Sequence, residues 1–415
     1  MSHAGTLGVW QGAGLLATTL LGTSVFILPE MTIEIAGVNA IWSWTFLTLF
    51  ILPIALVFAK LSGQFPHAGG PANFCELAFG KVVGRSIGLI FLLVVPLGAP
   101  AALIMTFQFV DTLLELSDIS GLMVQYLFLL IIYLLNIRGV SLSATIQLGL
   151  TLTISALVGI LCLAYFLSAD TVNNITPALI TDTKPISTMF SAAALAFWSF
   201  LGIEAMAHMS SEFKDPKKDL VPAIVLGTLL VGVIYIACTF LVAHVSSQST
   251  LAMVDIFDTL LGGYGNIVIC FLGIAGGLAT VNVYTASCSK LMWSFSHNGV
   301  LPPLYQQKNS SGTAQIALRH IVLLMAVVLT VSHLFKLDLA VLVGLCNGVF
   351  VVIYLTSMFA AFKLLPKKYF WLASISIIVC LTLAFSLSWQ MAYALILLII
   401  VAPLAKRKHS IISTT

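Results

Sequence analysis

Phe197-Trp198-Ser199-Phe200-Leu201-Gly202-Ile203-Glu204 gathers aromatic rings, a hydroxyl, a glycine and a carboxylate inside an otherwise apolar stretch. If that stretch crosses a bilayer, the carboxylate costs several kcal/mol, roughly 3 on insertion scales, and so is expected to serve a function. Two roles fit Glu204. It can carry a proton, or it can brace the helix as a neutral acid bonded to a nearby carbonyl. His208, one helical turn along, is its candidate partner. Ser199 and Gly202 allow unwinding, and Phe197, Trp198 and Phe200 can close over a small ligand; the same rings also suit plain packing in a bundle core. A second polar break, Gly22-Thr23-Ser24, interrupts an apolar stretch near the N-terminus, with Pro29 shortly after it. An opened helix in lipid must satisfy its freed backbone against protein or a water-filled cavity. The half-helix restarting near Val25 would aim its positive end at the break, which suits a carboxylate ligand. The alternative is a simple glycine kink with hydroxyls bonded back to the helix.

The elements that must position these residues follow from composition. Of 415 residues, 60% are hydrophobic and 8% charged, with a mean hydropathy of +1.09. Soluble domains carry about 25% charged residues, so this chain is expected to be an integral membrane protein. Apolar runs of about 20 residues read as helices rather than barrel strands. The net charge of +3 gives no reason to expect nucleic acid as a partner. The seven cysteines lack CxxC spacing and read as small packing residues, so neither a metal nor a cofactor is expected. No Lys or Arg precedes the first apolar stretch, which argues against a cleaved leader.

Twelve spans are expected, at 8–36, 40–60, 84–110, 121–137, 143–168, 188–210, 220–244, 264–295, 317–335, 338–362, 369–387 and 389–405. The first and eighth are long enough to be broken, tilted or extended. With the N-terminus inside, 16 of the 18 Lys and Arg fall on the cytoplasmic side, and only Lys184 and Lys336 fall outside. That asymmetry supports the count and a cytoplasmic position for both termini. The two breaks fall in spans one and six. Two inverted five-helix repeats, each opening with a broken helix, would bring them together at mid-membrane, where transporters bind substrate.

Several segments resemble the amino acid–polyamine–organocation transporter superfamily. Gly22-Thr23-Ser24-Val25-Phe26 is similar to its first-helix motif G-[ST]-G-[IV]-F, with Ser24 in place of the second Gly. Leu61 to Gly70 resembles the inner segment after the second helix, and Asn136, Gly139 and Gln147 match the start of the fifth. Phe197 to Glu204, followed by Ser211 to Pro222, resembles the sixth helix and its inner loop. Asn298-Gly299-Val300-Leu301-Pro302 is similar to the end of the eighth, with Asn in place of Asp. The branch it most resembles exports methionine and branched-chain amino acids from bacteria.

The resemblance implies an all-α polytopic membrane protein. A 5+5 inverted-repeat core would occupy 1–365, two accessory helices 366–405 and a basic tail 406–415, in a bacterial inner membrane. It implies that Gly22, Thr23 and Ser24 belong to the substrate site, that the backbone and hydroxyls at Thr23 and Ser24 meet the α-carboxylate of an amino acid, and that carbonyls near Leu20, Trp198 and Leu201 meet its α-amino group. Trp198 and Phe200 would flank the side chain. Asn282 and Asn347 would either join the site or serve as interhelical hydrogen-bond partners. Some relatives couple transport to an ion or proton through a fifth-helix Lys; that region here reads Leu152-Thr153-Ile154-Ser155, without one.

No acid or base is expected at mid-depth in spans three, eight and ten, and a charged ligand side chain would be left unpaired there. The expected substrates are therefore methionine, leucine, isoleucine and valine, moved by alternating access. Export is the first reading and proton-coupled import through Glu204 the second. An intramembrane enzyme is disfavoured by the lack of HExxH or paired intramembrane Asp, and a channel by the lack of a filter motif.

Overall fold

The computed structural model describes residues 7–22, 24–67, 69–139, 144–168, 184–245, 247 and 251–406. Thr23 and most of the basic tail lie outside the described residues. Helix dominates the described residues, and the sole strand-like pairing is one parallel bridge, Leu7 to Phe213.

The first half contains α1 (Val9–Leu21), α2 (Leu28–Ala36), α3 (Asn39–Gln64), α4 (Pro71–Phe79), α5 (Lys81–Leu114), α6 (Asp118–Ile137) and α7 (Ala144–Leu167). The second half contains α8 (Ser187–Ala196), α9 (Ile203–His208), α10 (Pro216–His244), α11 (Ala252–Leu261) and α12 (Gly265–His297). It closes with α13 (Gln315–Leu334), α14 (Leu339–Leu364), α15 (Phe370–Leu387) and α16 (Gln390–Lys406). Among the described residues, ten stretches are long and apolar enough to cross a membrane, counting Ser187–His208 as one; Val9–Leu21 and Gln390–Lys406 are shorter. Large apolar side chains such as Phe385, Leu167 and Phe335 face outward, as a lipid-facing surface requires. The protein is a multi-pass membrane protein.

Helix starts use local chemistry. Pro29, Pro71 and Pro216 sit in first turns, where a missing N–H costs nothing. Asp215 and Asp338 accept N–H groups at their N-caps, satisfying donors the helix leaves free. Pro96 and Pro100 lie inside α5, yet that helix continues over 34 residues.

The two breaks fall where the polar residues interrupt the apolar runs. α1 ends at Leu21, a turn of 3-10 helix covers Ser24–Phe26, and α2 starts at Leu28. The restart comes later than the expected Val25, because Pro29 suits the first turn of α2 and fixes where it begins. In the sixth span α8 passes into a 3-10 turn over Phe197–Phe200, and α9 starts after Gly202. The eighth span is continuous at 33 residues, so its length is extension rather than a break. α1 is central: every residue from Gly12 to Leu21 is buried.

Candidate substrate site

Both breaks open on one cavity of ≈ 50 Å³, room for a few ordered waters. The first break contributes Thr19, Leu20, Gly22 and Ser24, and the sixth span contributes Trp198 and Leu201. α5 supplies the opposite wall with Val94, Val95, Gly98, Ala99 and Ala102; Thr280, Val281 and Tyr284 of α12 and Phe350 of α14 complete the lining. None of these side chains carries a charge, and the polar groups are confined to the breaks and to α12.

Two glycines make the breaks sterically available. Gly22 has φ +39 and ψ −130, and Gly202 has φ +132 and ψ −19. Both lie where a Cβ is strained. A Cβ on Gly22 would also sit 2.7 Å from the Thr280 hydroxyl. α12 approaches so closely that a Cβ on Gly276 would lie 2.5 Å from the Gly22 carbonyl oxygen.

Tyr235 of α10 organises the first break. Its hydroxyl lies 2.6 Å from Ser24 Oγ and donates toward the carbonyls of Leu20 at 3.2 Å and Leu21 at 3.4 Å. Its ring stacks on Trp44 at 4.3 Å and 5°, and Trp44 in turn donates to Thr32 at 3.0 Å. Ser199, buried in the second break, lies beside the same phenol and is not part of the cavity lining.

Glu204 is fully buried and holds the second break together. Its Oε2 accepts the Gly202 N–H at 2.9 Å and the Tyr354 hydroxyl at 2.5 Å; its Oε1 accepts the Tyr284 hydroxyl at 2.9 Å. Tyr354 also reaches the Phe200 carbonyl at 3.2 Å. Tyr284 lines the cavity, so the carboxylate stands one hydrogen bond behind the cavity wall. His208 is not the partner. It packs against Gly70 and Phe91. Helical side chains lean toward the N-terminus, so Glu204 reaches back to Gly202 instead of forward to His208.

The remaining predicted residues lie outside the lining. Phe197 packs edge-on against Tyr354 at 5.5 Å, and Phe200 is fully buried. Asn282 accepts from Asn136 at 2.6 Å. Asn347 donates to the Ala194 carbonyl at 2.8 Å and the Leu195 carbonyl at 3.3 Å, tying α14 to the end of α8. Hydroxyls join α1 to α7. Thr18 Oγ1 is 2.6 Å from both the Gln147 carbonyl and Thr151 Oγ1, and Thr151 donates to the Gly14 carbonyl at 3.0 Å. Sequence reasoning missed Tyr235, Tyr284 and Tyr354. Each is a phenol deep in an apolar helix, where a buried Tyr hydroxyl needs a partner, but other tyrosines in the chain share that setting.

A family model described as amino acid permease matches residues 7–411. The chain is 35% identical over 402 residues to the L-methionine/branched-chain amino acid exporter of Escherichia coli (strain K12), covering 94% of each chain. It is 27% identical over 401 residues to an uncharacterized amino acid permease of Bacillus subtilis (strain 168), covering 93% of this chain and 92% of that one. It is 24% identical over 323 residues to the cadaverine/lysine antiporter of Escherichia coli (strain K12), covering 75% and 71%. The paired breaks, the cavity between them and these matches across almost the whole sequence agree: the chain belongs to the amino acid permease family of membrane transport proteins.

Proposed function

We propose that the protein is a secondary carrier that moves methionine, leucine, isoleucine and valine out across a bacterial inner membrane by alternating access. The observation that carries the substrate class is the cavity lining. Backbone ends and hydroxyls of the two breaks suit the charged α-carboxylate and α-amino groups. No other lining side chain is charged, so an anionic ligand side chain would meet no counter-charge, and a cationic one could reach Glu204 only by displacing Tyr284. The direction rests on the 35% identical relative, an exporter of methionine and branched-chain amino acids.

The order of elements supports the 5+5 layout. Each half runs broken span, long helix, short helix, long helix: α1/α2, α3, α4, α5 and then α8/α9, α10, α11, α12. With the termini inside, α4 falls on the inner face and α11 on the outer face, as inversion requires. The core then ends near residue 365, α15 and α16 are accessory, and the first span counts as one broken helix. The cavity has room only for a few waters, so binding methionine requires it to widen, with Trp198 and Tyr284 as the large walls that would move.

The test is counterflow in proteoliposomes. Vesicles loaded with unlabelled methionine should take up labelled methionine. Leucine should block uptake, arginine and glutamate should not, and Trp198→Ala should abolish it. No counterflow with any neutral amino acid would refute the substrate class. A second reading, proton-coupled import, is favoured by Glu204 standing behind Tyr284 at the cavity wall. Uptake driven by an imposed proton gradient, and lost in Glu204→Gln, would select it.

A further inference from the structure

Away from the central site, a cavity of ≈ 350 Å³ opens between the end of α6, the last turns of α12 and the segment leading into α13. Lys290, Lys308, Asn136 and Ser289 line it, with Trp293 and Ser311. No acid is among its lining residues as described. Asn136 and Ser289 are more than nine-tenths buried, so this is a formed recess with polar walls rather than a patch of surface lysines.

Its electrostatics favour an anion. The C-terminal carbonyls of α6 would normally repel one, but here they are occupied. Asn309 Nδ2 donates to the Ile137 carbonyl at 2.6 Å, and Thr313 Oγ1 donates to the Asn136 carbonyl at 3.0 Å. Asn309 Oδ1 also holds the N–H groups of Ser311 at 3.0 Å and Thr313 at 2.9 Å, which fixes the loop that forms the rim. Lys308 lies over the Trp293 ring at 3.6 Å, held by cation–π attraction, and Trp293 is anchored to the Gln306 carbonyl at 3.1 Å. Lys290 pairs with Glu212 at 3.1 Å, both half-exposed, an arrangement of little net strength that a better acceptor would displace.

We propose that this cavity binds a phosphate-bearing anion at the inner face of the membrane. Its surroundings favour the headgroup of an anionic phospholipid. Basic recesses between membrane helices on the cytoplasmic side hold such headgroups. Beside the cavity, α6 packs against α13, and both present exposed apolar side chains suited to the bilayer, including Leu130, Leu134, Leu323 and Val327. An acyl chain attached to the bound headgroup would lie along them.

The experiment uses the full chain, purified and stripped of lipid. Native mass spectrometry with added phosphatidylglycerol, and with phosphatidylethanolamine as the zwitterionic control, reads the lipid arm. Thermal unfolding with added inorganic phosphate reads the free-anion arm. Phosphatidylglycerol should bind on the order of tenfold more tightly than the control. Lys290→Gln/Lys308→Gln should remove that preference while leaving control binding intact, which shows the variant is folded. Stabilisation by inorganic phosphate that disappears in the double variant, without lipid preference, would identify a free phosphate as the source. Binding of neither, or binding unchanged in the double variant, overturns the site. The single variants Lys290→Gln and Lys308→Gln supply the same readout should the double variant fold poorly.

Discussion

Replacing Glu204 separates bracing from proton coupling. The carboxylate accepts three hydrogen bonds, from Gly202, Tyr284 and Tyr354. In Glu204→Gln the Gly202 N–H can only donate, so the amide oxygen must stay at the Oε2 position and Nε2 faces Tyr284. The Tyr284 hydroxyl then turns to accept. One hydrogen bond is reversed and none is lost, at a cost of about 1 kcal/mol, or roughly fivefold in an equilibrium. In Glu204→Ala the Gly202 N–H and the Tyr284 hydroxyl lose their acceptor, while Tyr354 keeps the Phe200 carbonyl. The Gly202 N–H is left a buried orphan at about 1–3 kcal/mol, while the half-buried Tyr284 hydroxyl can turn to the cavity it lines, so the loss is roughly 1–3 kcal/mol before any cavity penalty. We expect Glu204→Gln to melt close to the parent protein and to keep methionine counterflow within about fivefold. Glu204→Ala should melt markedly lower and yield little active protein. The assays are thermal unfolding in detergent and counterflow across a pH series. An Ala variant with unchanged melting and unchanged flux would refute the bracing argument. A Gln variant with unchanged net transport at every pH would remove Glu204 from any coupling role.

Tyr235→Phe removes the hydroxyl that holds Ser24 and the Leu20 carbonyl but keeps the ring stacked on Trp44. The half-saturation concentration for methionine should rise about five- to tenfold, the loss of roughly 1 kcal/mol of hydrogen bonding, with the maximal counterflow rate nearly unchanged. Gly276→Ala places a Cβ 2.5 Å from the Gly22 carbonyl oxygen, a backbone atom that cannot swing aside; overpacking of about 1–3 kcal/mol should lower the melting temperature and slow flux. Gly98→Ala is milder, with its Cβ 3.4 Å from Cys346 Sγ and 3.6 Å from the Trp198 ring. It narrows the cavity without a clash, so competition assays should show methionine losing affinity relative to valine.

What could be read from the sequence was what depends on local chain chemistry. Glycine and hydroxyl residues inside apolar runs marked both breaks, and an intramembrane acid marked the second. Those features change the backbone where they stand. What could not be read depends on which face of one helix meets another. Asn282 and Asn347 have the composition of ligand-binding residues, but their amides turn to Asn136 and to the end of α8. The three tyrosines that hold the breaks come from α10, α12 and α14, and nothing in their own neighbourhoods distinguishes them from other mid-helix phenols. The wall formed by α5 was equally hidden, since Val94 to Ala102 reads only as a small-residue stretch with two prolines. His208 is instructive in another way: its spacing from Glu204 was right for a helical pair, yet the carboxylate points back over the break it closes.

The two breaks are bracketed by separate couplings, and this bears on how an alternating-access carrier of this architecture would move. At one end Leu7 donates to the Glu212 carbonyl at 3.0 Å and Lys214 donates to the Leu7 carbonyl at 2.9 Å. The segment before α1 is thereby clipped to the segment after α9. Lys290 of α12 reaches the same clip through Glu212, and the Phe213 ring lies where a Cβ on Gly12 would be. At the other end α2 packs against α8. The half-helices are thus joined in like pairs, α1 with α9 and α2 with α8, while the connections within each span run through Gly22 and Gly202. Coupling within each pair and a glycine-broken backbone within each span would let one pair swing while the other stays seated. The cavity, with Tyr235 and Glu204 fastening its two edges, lies at the joint.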